Sequence, residues 1–526
     1  MRARAPRGPV RPSSLVVSIA TGALLAGTVA ASVPAAAHDG ADHVDAPAET
    51  APEDAPAPSS LLHIDTLPRV DGSLNKRGAL RRLDLGLTIT APDSPVSFWS
   101  HRPSYDEGIV TEVRTDAGVA TLPAGTLHDF NGLTNLLSVT VTEVGATRPA
   151  AVVRRSPCLN GWSSTRIRPD APARSPYPWS CSSMPYTLGS VMGIEGGWST
   201  RVQLSLRKLE LDRGRYDVVT TVNPGWREAL GISEEDGTSR TRMRVYAAGK
   251  HPDYGHGGGY GGGYFRTAEA ADAQHTPAAA EPAEEGAEPP AGVPVPDLRS
   301  LPAWQIGLAR KGTVLRFAAT VWNGGESPLV IDGFRDGADR ERMTTYQYFF
   351  DSEGEQVGYQ QVGEMRWHAA NHNHWHLDDF AKYSLLDASK NEIVKSTKRS
   401  FCLANTDAVD YTVPGANWKP SGTDLSTACG DLGAMSVREV LDSGSGDTYH
   451  QYRAGQAFRI GDLPNGTYYI ATTANPLGNL VESDTTNNEA LREIRLVGKP
   501  GMRRVVVPQV GIIDENQRRR GSFGWF

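Results

Sequence analysis

Cysteine is scarce in this chain of 526 residues, which contains four, and long hydrophobic runs are missing beyond the amino terminus. Without such runs, no later segment is predicted to form a membrane-spanning helix. The cysteines form two couples that are close in sequence, Cys158 with Cys181 and Cys402 with Cys429. In an exported chain, four cysteines predict two disulfides, and we expect each couple to pair within itself.

An excess of positive charge is also missing. The chain has 53 Lys and Arg against 60 Asp and Glu, which gives a formal net charge of −7. A negatively charged chain does not attract nucleic acid electrostatically, and it favours cationic partners such as amines or lysine-rich proteins. A role in solubility alone explains the same charge equally well.

The amino terminus has the three parts of a secretory signal. Its first residues carry four arginines and no acid, an apolar stretch follows from Leu15 to Ala31, and small residues occupy 35–37. We therefore predict that residues 1–37 are a signal peptide and that the mature protein is secreted and extracellular.

Two low-complexity stretches divide the rest of the chain. Residues 38–60 are acidic and rich in Ala and Pro, and residues 249–294 are first Gly-rich and then rich in Ala, Pro and Glu. Such compositions favour a disordered segment and a linker, respectively. We expect the flanking parts, 61–248 and 295–497, to fold as domains, with 498–526 as a C-terminal tail.

Both flanking parts are rich in strand patterns. Segments such as Leu83–Thr90 and Val314–Val321 alternate or are β-branched, and helical patterns are short. This predicts an all-β fold of two β-sandwich-like domains. The parts also resemble each other, because GRYDVVTTVNP at 214–224 matches GTYYIATTANP at 466–476, and RRSPCL at 154–159 matches KRSFCL at 398–403. The matches indicate an apparent duplication of one domain.

A histidine triplet is the strongest chemical signal. In WHAANHNHWH, the residues His372, His374 and His376 alternate with Asn373 and Trp375. On an extended strand these side chains point to one face, and a bend or twist allows them to converge on one ion. Imidazole suits Cu(II) well and Zn(II) or Ni(II) nearly as well, so the triplet alone does not select the metal. His368, outside the alternation, is assigned a supporting role.

The sequence around the triplet resembles the lysyl oxidase family. The triplet is followed by LDDF and by YSLLD, then by KRSFCL, GDTY, PNGTYYI and ESDTTNN, and the similarity spans 295–497. The resemblance implies that Cu²⁺ is bound by the three histidines. It also implies that Lys398 and Tyr449 become cross-linked into lysine tyrosylquinone, the self-derived cofactor. Tyr452 is an alternative to Tyr449.

The implied activity is that of a copper amine oxidase, lysyl oxidase-like. It would convert primary amines, such as lysine side chains of extracellular proteins, to aldehydes with molecular oxygen and release ammonia and hydrogen peroxide. Asp378 or Asp379 is a candidate base for this reaction. The alternative is an extracellular copper-binding or adhesive protein without oxidase activity. A zinc hydrolase is disfavoured, since no Glu is clearly paired with the histidines.

The first part of the chain lacks the implied site. The internal match places Leu122, Ala124 and Thr126 opposite the three histidines, Arg154 opposite Lys398, and Gly197 opposite Tyr449. A guanidinium is always protonated and is a poor nucleophile, so Arg154 is no substitute for a lysine. We therefore predict that 61–248 is a degenerate, non-catalytic copy.

Overall fold

Almost every regular element of the protein is a β-strand. The structure is a computed structural model. It describes residues 60–515, apart from 82, 162, 203–204, 207–208, 248–288, 290, 336–340, 369–372, 397, 399, 421–422, 424, 453–454 and 500. The predicted signal peptide, nearly all of the segment 38–60 and most of the predicted linker lie outside the described residues.

Among its described residues, the first part contains short strands and a single helix, α1, at Pro224–Leu230. Its strands are β1 His63–Asp65, β2 Arg69–Ser73, β3 Leu83–Asp84, β4 Thr88–Ala91, β5 Val96–His101, β6 Val110–Thr115, β7 Gly118–Thr121, β8 Leu137–Glu143, β9 Ala151–Arg155, β10 Ser164–Arg166, β11 Gly189–Ile194, β12 Trp198–Arg201, β13 Ser205–Leu206, β14 Gly214–Val222 and β15 Thr238–Tyr246.

The sheets of the first part enclose one core. A five-stranded sheet has the order β2-β15-β14-β8-β9, and two four-stranded sheets have the orders β1-β4-β12-β10 and β11-β5-β6-β7. Alternation on β8 places Leu137, Val139 and Val141 in the core, where all three are 0% exposed. Phe98 and Val218 from other strands belong to the same core. The core is therefore formed by the side chains that alternate inward along each strand.

The second part is built in the same way, with a one-turn 3₁₀ helix at Arg310–Gly312. Its strands are β16 Leu298–Ser300, β17 Trp304–Ala309, β18 Val314–Asn323, β19 Leu329–Arg335, β20 Arg342–Phe350, β21 Gln356–His368, β22 His374–Asp378, β23 Ala381–Leu386, β24 Glu392–Lys395, β25 Ser400–Phe401, β26 Asp407–Ala408, β27 Ser436–Leu441, β28 Ser445–Tyr449, β29 Ala457–Arg459, β30 Gly466–Ala474, β31 Glu489–Val497 and β32 Arg504–Val506.

Three sheets surround the second core. Their orders are β16-β18-β28-β26, with β17 and β29 also paired to β18, then β25-β22-β21-β20-β19-β27, and β24-β23-β30-β31-β32. The core between them includes Trp375, Phe401 and Tyr383, all at most 2% exposed. The all-β prediction is confirmed. Strand β32, in the segment assigned to a tail, pairs with β31 and extends the last sheet.

The two parts are packed against each other. The backbone N–H groups of Leu188 and Gly189 both donate to the Val409 carbonyl, at 2.7 and 3.2 Å. Met184 and Tyr186 of the first part share a buried cluster with Trp304 and Val409 of the second. Val409 follows β26, and β26 pairs with β28. The contact between the two parts therefore extends to the strand that ends at Tyr449.

Four strands of each part share one arrangement. The order β9-β8-β14-β15 in the first part corresponds to β24-β23-β30-β31 in the second. The central strands β14 and β30 are the two segments whose sequences match. This agreement is what a duplication predicts, although the duplication itself stays a prediction.

Both predicted disulfides are confirmed. Cys158 pairs with Cys181 and Cys402 with Cys429, with Cα–Cα distances of 5.8 and 6.1 Å. Each bridge stays within its own part of the chain. Among the described residues, no helix has the length and apolar character needed to cross a membrane.

Candidate copper and cofactor site

Two histidines of the triplet lie on β22, and His372 lies outside the described residues. The side chains of His374 and His376 point to one face of the strand, with ring centroids 4.7 Å apart. Trp375 between them is fully buried and donates from Nε1 to the Asp431 carbonyl at 2.8 Å. Burial of the tryptophan on the opposite face therefore orients the two imidazoles together.

The strand begins only at His374, because Asn373 adopts a left-handed φ of 39°. His374 and His376 share this strand as predicted, and the part of the prediction that concerns His372 lies outside the described residues. Asparagine tolerates this conformation better than most residues. The change of direction at Asn373 is the kind of bend that convergence on one ion requires.

His376 contacts β25, the strand that follows Lys398 in the sequence. It is 1% exposed, and its Nδ1 lies 3.3 Å from the Ser400 hydroxyl. Ser400 begins β25, which pairs with β22 through Leu377–Phe401 and Asp378–Ser400. A hydrogen bond from one ring nitrogen fixes the orientation of the imidazole and leaves the other nitrogen for a metal.

Lys398 is held over the ring of Tyr449. Its side chain is mostly buried, and Nζ donates to the Ser400 carbonyl at 3.0 Å. The same Nζ lies 4.1 Å from the centroid of the Tyr449 ring and 4.6 Å from that of Phe401. The structure thus brings together the lysine and the tyrosine that the sequence paired.

Tyr449 is anchored through its hydroxyl. That group donates to the Cys402 carbonyl at 2.9 Å and accepts from the Cys402 N–H at 3.1 Å. Phe401 packs edge-on against the ring at 5.0 Å. Burial raises the pKa of Tyr449 well above its ordinary value, and the nearby carboxyls of Asp447 and Glu439 raise it further. The phenol is therefore neutral at physiological pH.

The arrangement suits a metal and a covalent cofactor formed from the protein. Two neighbouring imidazoles match the ligand preference of Cu²⁺. An amine nitrogen lying over a phenol ring matches a lysine–tyrosine cross-link. Ser400 contacts both His376 and Lys398, so the two halves of the site are physically connected.

The same region matches known proteins. The sequence pattern of the lysyl oxidase family matches residues 352–505. Pig protein-lysine 6-oxidase is 34% identical over 134 residues, which is 25% of this chain and 47% of that protein. The human protein-lysine 6-oxidase is 33% identical over 134 residues, or 28% of its length, and mouse lysyl oxidase homolog 4 is 31% identical over 123 residues, or 14% of its length.

Residues 352–505 therefore match the lysyl oxidase family. The chain spans less than half the length of each of the three relatives. The family match starts later than the similarity predicted from 295, and it ends within β32. We refer to 352–505 below as the lysyl oxidase domain.

Two buried acids beside Tyr449 were missed by the sequence analysis. Asp447 is 4% exposed and lies two residues before Tyr449 on β28, and Glu439 on β27 is fully buried. Glu439 accepts the Leu403 N–H at 2.9 Å, and burial raises its pKa well above the ordinary range. Strand alternation could have identified Asp447, whereas nothing local in the sequence marks Glu439.

The other candidate residues lie at the edge of the lysyl oxidase domain's site. Tyr452 is 71% exposed and stacks on His450, with ring centroids 5.5 Å apart. Asp378 shares the histidine face of β22 and pairs with Arg366, with an Oδ2–Nε distance of 2.5 Å. Asp379 has a left-handed φ of 55° at the end of that strand.

The corresponding positions of the first part line a cavity. Leu122, Thr126 and Arg154 lie around a space of about 780 Å³, together with Trp226 and other residues of the α1 region. Gly197, the counterpart of Tyr449, is not among the lining residues. The spatial grouping agrees with the internal match, but leucine and threonine offer no imidazole to a metal.

Proposed function

We propose that the protein is a secreted copper amine oxidase that converts primary amines, including lysine side chains of extracellular proteins, to aldehydes. The observation that carries the proposal is the position of Lys398 Nζ, 4.1 Å from the ring centroid of Tyr449. Lysine and tyrosine are both common, but a contact between them beside a histidine strand supports this chemistry. The match to the lysyl oxidase family supports the same reaction.

The site residues would form two groups, one for each cofactor. His374 and His376, with His372, would hold Cu²⁺, while Lys398 and Tyr449 would hold lysine tyrosylquinone as a cross-link between them. When present, these groups supply the oxidation of an amine to an aldehyde, with molecular oxygen consumed and ammonia and hydrogen peroxide released.

The protein's own part is to position these groups. The Cys402 backbone holds the Tyr449 hydroxyl in two hydrogen bonds, so the ring presents a fixed face to Lys398. The Ser400 carbonyl holds Nζ at 3.0 Å over that face. Fixing both partners before reaction removes the entropy cost of bringing them together, which is worth about 7–11 kcal/mol in well-oriented cases.

The charge of the chain supports a cationic substrate. The protein carries more acid than base, which attracts amines that are protonated in solution. Asp378 on the histidine face is a candidate to accept a substrate proton, and its ion pair with Arg366 orients the carboxyl group.

The test starts from the metal-free full chain. Adding Cu²⁺ in air is expected to produce a visible quinone band, followed by hydrogen peroxide release when simple amines or lysine peptides are supplied. Lys398→Arg should abolish both signals, since a guanidinium does not add to the ring. Lys395→Arg is the matched control, because Lys395 is an exposed lysine three residues away that pairs with Glu392 at 3.1 Å.

Two results would contradict the proposal. One is a quinone band that survives in Lys398→Arg. The other is tight copper binding by the unaltered protein with neither a band nor peroxide, which would favour an extracellular copper-binding protein instead.

A further inference from the structure

The outward face of β15 is a row of arginines. Arg240, Arg242 and Arg244 are exposed and alternate with Thr241 and Met243, which point into the core. On a strand, side chains two residues apart lie about 6.7 Å from each other on the same face. Three positive charges therefore follow one another at regular spacing along this strand.

The neighbouring strands add more arginines to this face. Arg215 on β14 is the register partner of Arg244, and Arg69 on β2 is the register partner of Arg242. Arg213 precedes β14 and is also exposed. Like charges directly opposite each other destabilise a sheet, so the folded protein holds these pairs at an energetic cost.

Acidic partners do not neutralise the face. Asp71 and Asp217 are the acids on it, opposite Arg244 and Arg242. No described carboxylate forms an ion pair with any of the six arginines, which are Arg69, Arg213, Arg215, Arg240, Arg242 and Arg244. We call this set the arginine face.

One end of the arginine face is a recess. A space of about 610 Å³ is lined by Arg213, Arg215, Arg244 and Tyr246. The guanidinium of Arg244 lies 4.9 Å from the centroid of the Tyr246 ring, which holds it in a defined orientation. The recess is open to a ligand that lies along the sheet.

The corresponding sheet of the second part lacks this face. The registers of β14 with β15 and of β30 with β31 place Thr467 at the position of Arg215 and Glu493 at the position of Arg242. Leu491 corresponds to Arg240, and a single basic residue, Arg495, corresponds to Arg244. The same arrangement of strands forms in the second part without these arginines. The fold alone therefore does not account for them.

We propose that the arginine face binds linear polyphosphate. Guanidinium groups bind phosphate oxygens in bidentate fashion, and two opposed arginines can hold one tetrahedral phosphate between them. The pairs Arg215–Arg244 and Arg69–Arg242 offer two such places along β15, with Arg240 next in line. A planar carboxylate is satisfied by one guanidinium and makes poorer use of an opposed pair.

The negative net charge of the chain does not oppose this binding. Charges on an exposed surface are screened beyond about 8 Å at physiological ionic strength, so a polymer on the sheet senses mainly the local arginines. The proposal is independent of the amine oxidase activity, because its residues lie in the first part of the chain, away from the lysyl oxidase domain.

The test measures binding of the full chain to immobilised long-chain polyphosphate over a range of salt concentrations. The unaltered protein is expected to bind with an affinity that falls steeply as salt rises. The double variant R242E/R244E is expected to bind at least about tenfold more weakly, with a salt slope smaller by about two. Arg495→Glu, at the matching position of the other sheet, should bind like the unaltered protein.

A second polymer gives the result its specificity. Polygalacturonate presents planar carboxylates and is expected to bind more weakly than polyphosphate at equal charge. Equal binding of polygalacturonate, or equal binding of R242E/R244E and the unaltered protein, would overturn the proposal. Thermal unfolding of each variant shows whether it is folded, and amine oxidase activity should be unchanged in all of them.

Discussion

Tyr449 and Tyr452 differ in how firmly the fold holds them. The hydroxyl of Tyr449 has two hydrogen bonds to Cys402, whereas Tyr452 is 71% exposed. We therefore expect Tyr449→Phe to lose the quinone band and peroxide release completely, and Tyr452→Phe to keep most of both. Absorbance after copper loading and a peroxide assay measure this, and loss of the band in Tyr452→Phe alone would reverse the assignment.

Asp442 makes the stability of the protein depend on pH. Burial raises its pKa from 3.8 to about 6, although hydrogen bonds from Asn417 and Asn405 oppose the shift. A raised pKa means that the folded state binds the proton more tightly than the unfolded state. This contribution to stability is present at low pH and is lost as the pH rises through about 4 to 6.

Asp442→Asn should remove that dependence. The free energy of unfolding of the unaltered protein, relative to the variant, is expected to fall by about 3 kcal/mol between about pH 4 and pH 8. Denaturant unfolding of both proteins across this range measures the difference. Parallel curves would mean that Asp442 ionises in the folded protein as it does in the unfolded chain.

Individual site residues were predictable from the sequence where a local motif marks them. Lys398 and Tyr449 lie in short segments shared with a family, and the structure brings them together. Glu439 lies in a strand pattern next to Arg438, and its place beside Tyr449 arises from the pairing of distant strands. Burial of an acid depends on such long-range packing, which local sequence does not encode.

Gly455 packs directly against Lys398. Gly455 has a φ of +86°, and a Cβ there would lie 2.7 Å from the Lys398 Cβ. The Gly455 carbonyl accepts the Ser396 hydroxyl at 2.7 Å, which fixes the turn on the segment that carries the lysine. A side chain at this position would therefore displace Lys398.

Gly455→Ala is expected to slow quinone formation by about tenfold or more, because a small displacement of a reacting group has a large effect on rate. Gly501→Ala is the control, since Gly501 has a similar φ of +78° and open space around it. The rate of band formation after copper addition measures both. If the two variants mature at the same rate, crowding of Lys398 has no influence.

The sequence predicted the type of the secondary-structure elements better than their boundaries. The segment Val314–Val321 was expected as a strand and lies within β18, whereas Leu83–Thr90 is divided between β3 and β4. The histidine strand was predicted as one regular extended segment, whereas Asn373 has a left-handed φ and the described strand begins at His374. The backbone conformation of one residue depends on the packing around it. The alternating sequence pattern is the same on both sides of Asn373, so it did not indicate the bend.

For the molecule as a whole, the contact between the two parts links the first part to the site. Gly189 and Leu188 bond to Val409, next to β26, and β26 pairs with β28, which ends at Tyr449. The C-terminal segment adds to this contact, because the Tyr186 hydroxyl donates to Glu515 at 2.8 Å. A non-catalytic first part would thus support the strand that carries the tyrosine.

Gly189→Val should weaken that support. A Cβ at Gly189 would lie 1.9 Å from an Asp410 carboxylate oxygen and 2.5 Å from the Thr412 hydroxyl, so the Asp410 carboxyl group must leave its hydrogen bonds with Thr412. We expect a lower unfolding temperature and a smaller yield of quinone. Gly108→Val, at a site with open space, is the control. A full yield in Gly189→Val would show that the first part does not help to position Tyr449.

The bridge between Cys402 and Cys429 joins two backbone segments that hold different halves of the site. Cys402 supplies both hydrogen-bond partners of the Tyr449 hydroxyl, and the Cys429 carbonyl accepts the backbone N–H of Trp375 in the histidine strand. We therefore expect the bridge to hold the Tyr449 ring and the imidazoles in register. On the proposed chemistry, a chain kept reduced should yield less quinone after copper addition than the oxidised chain.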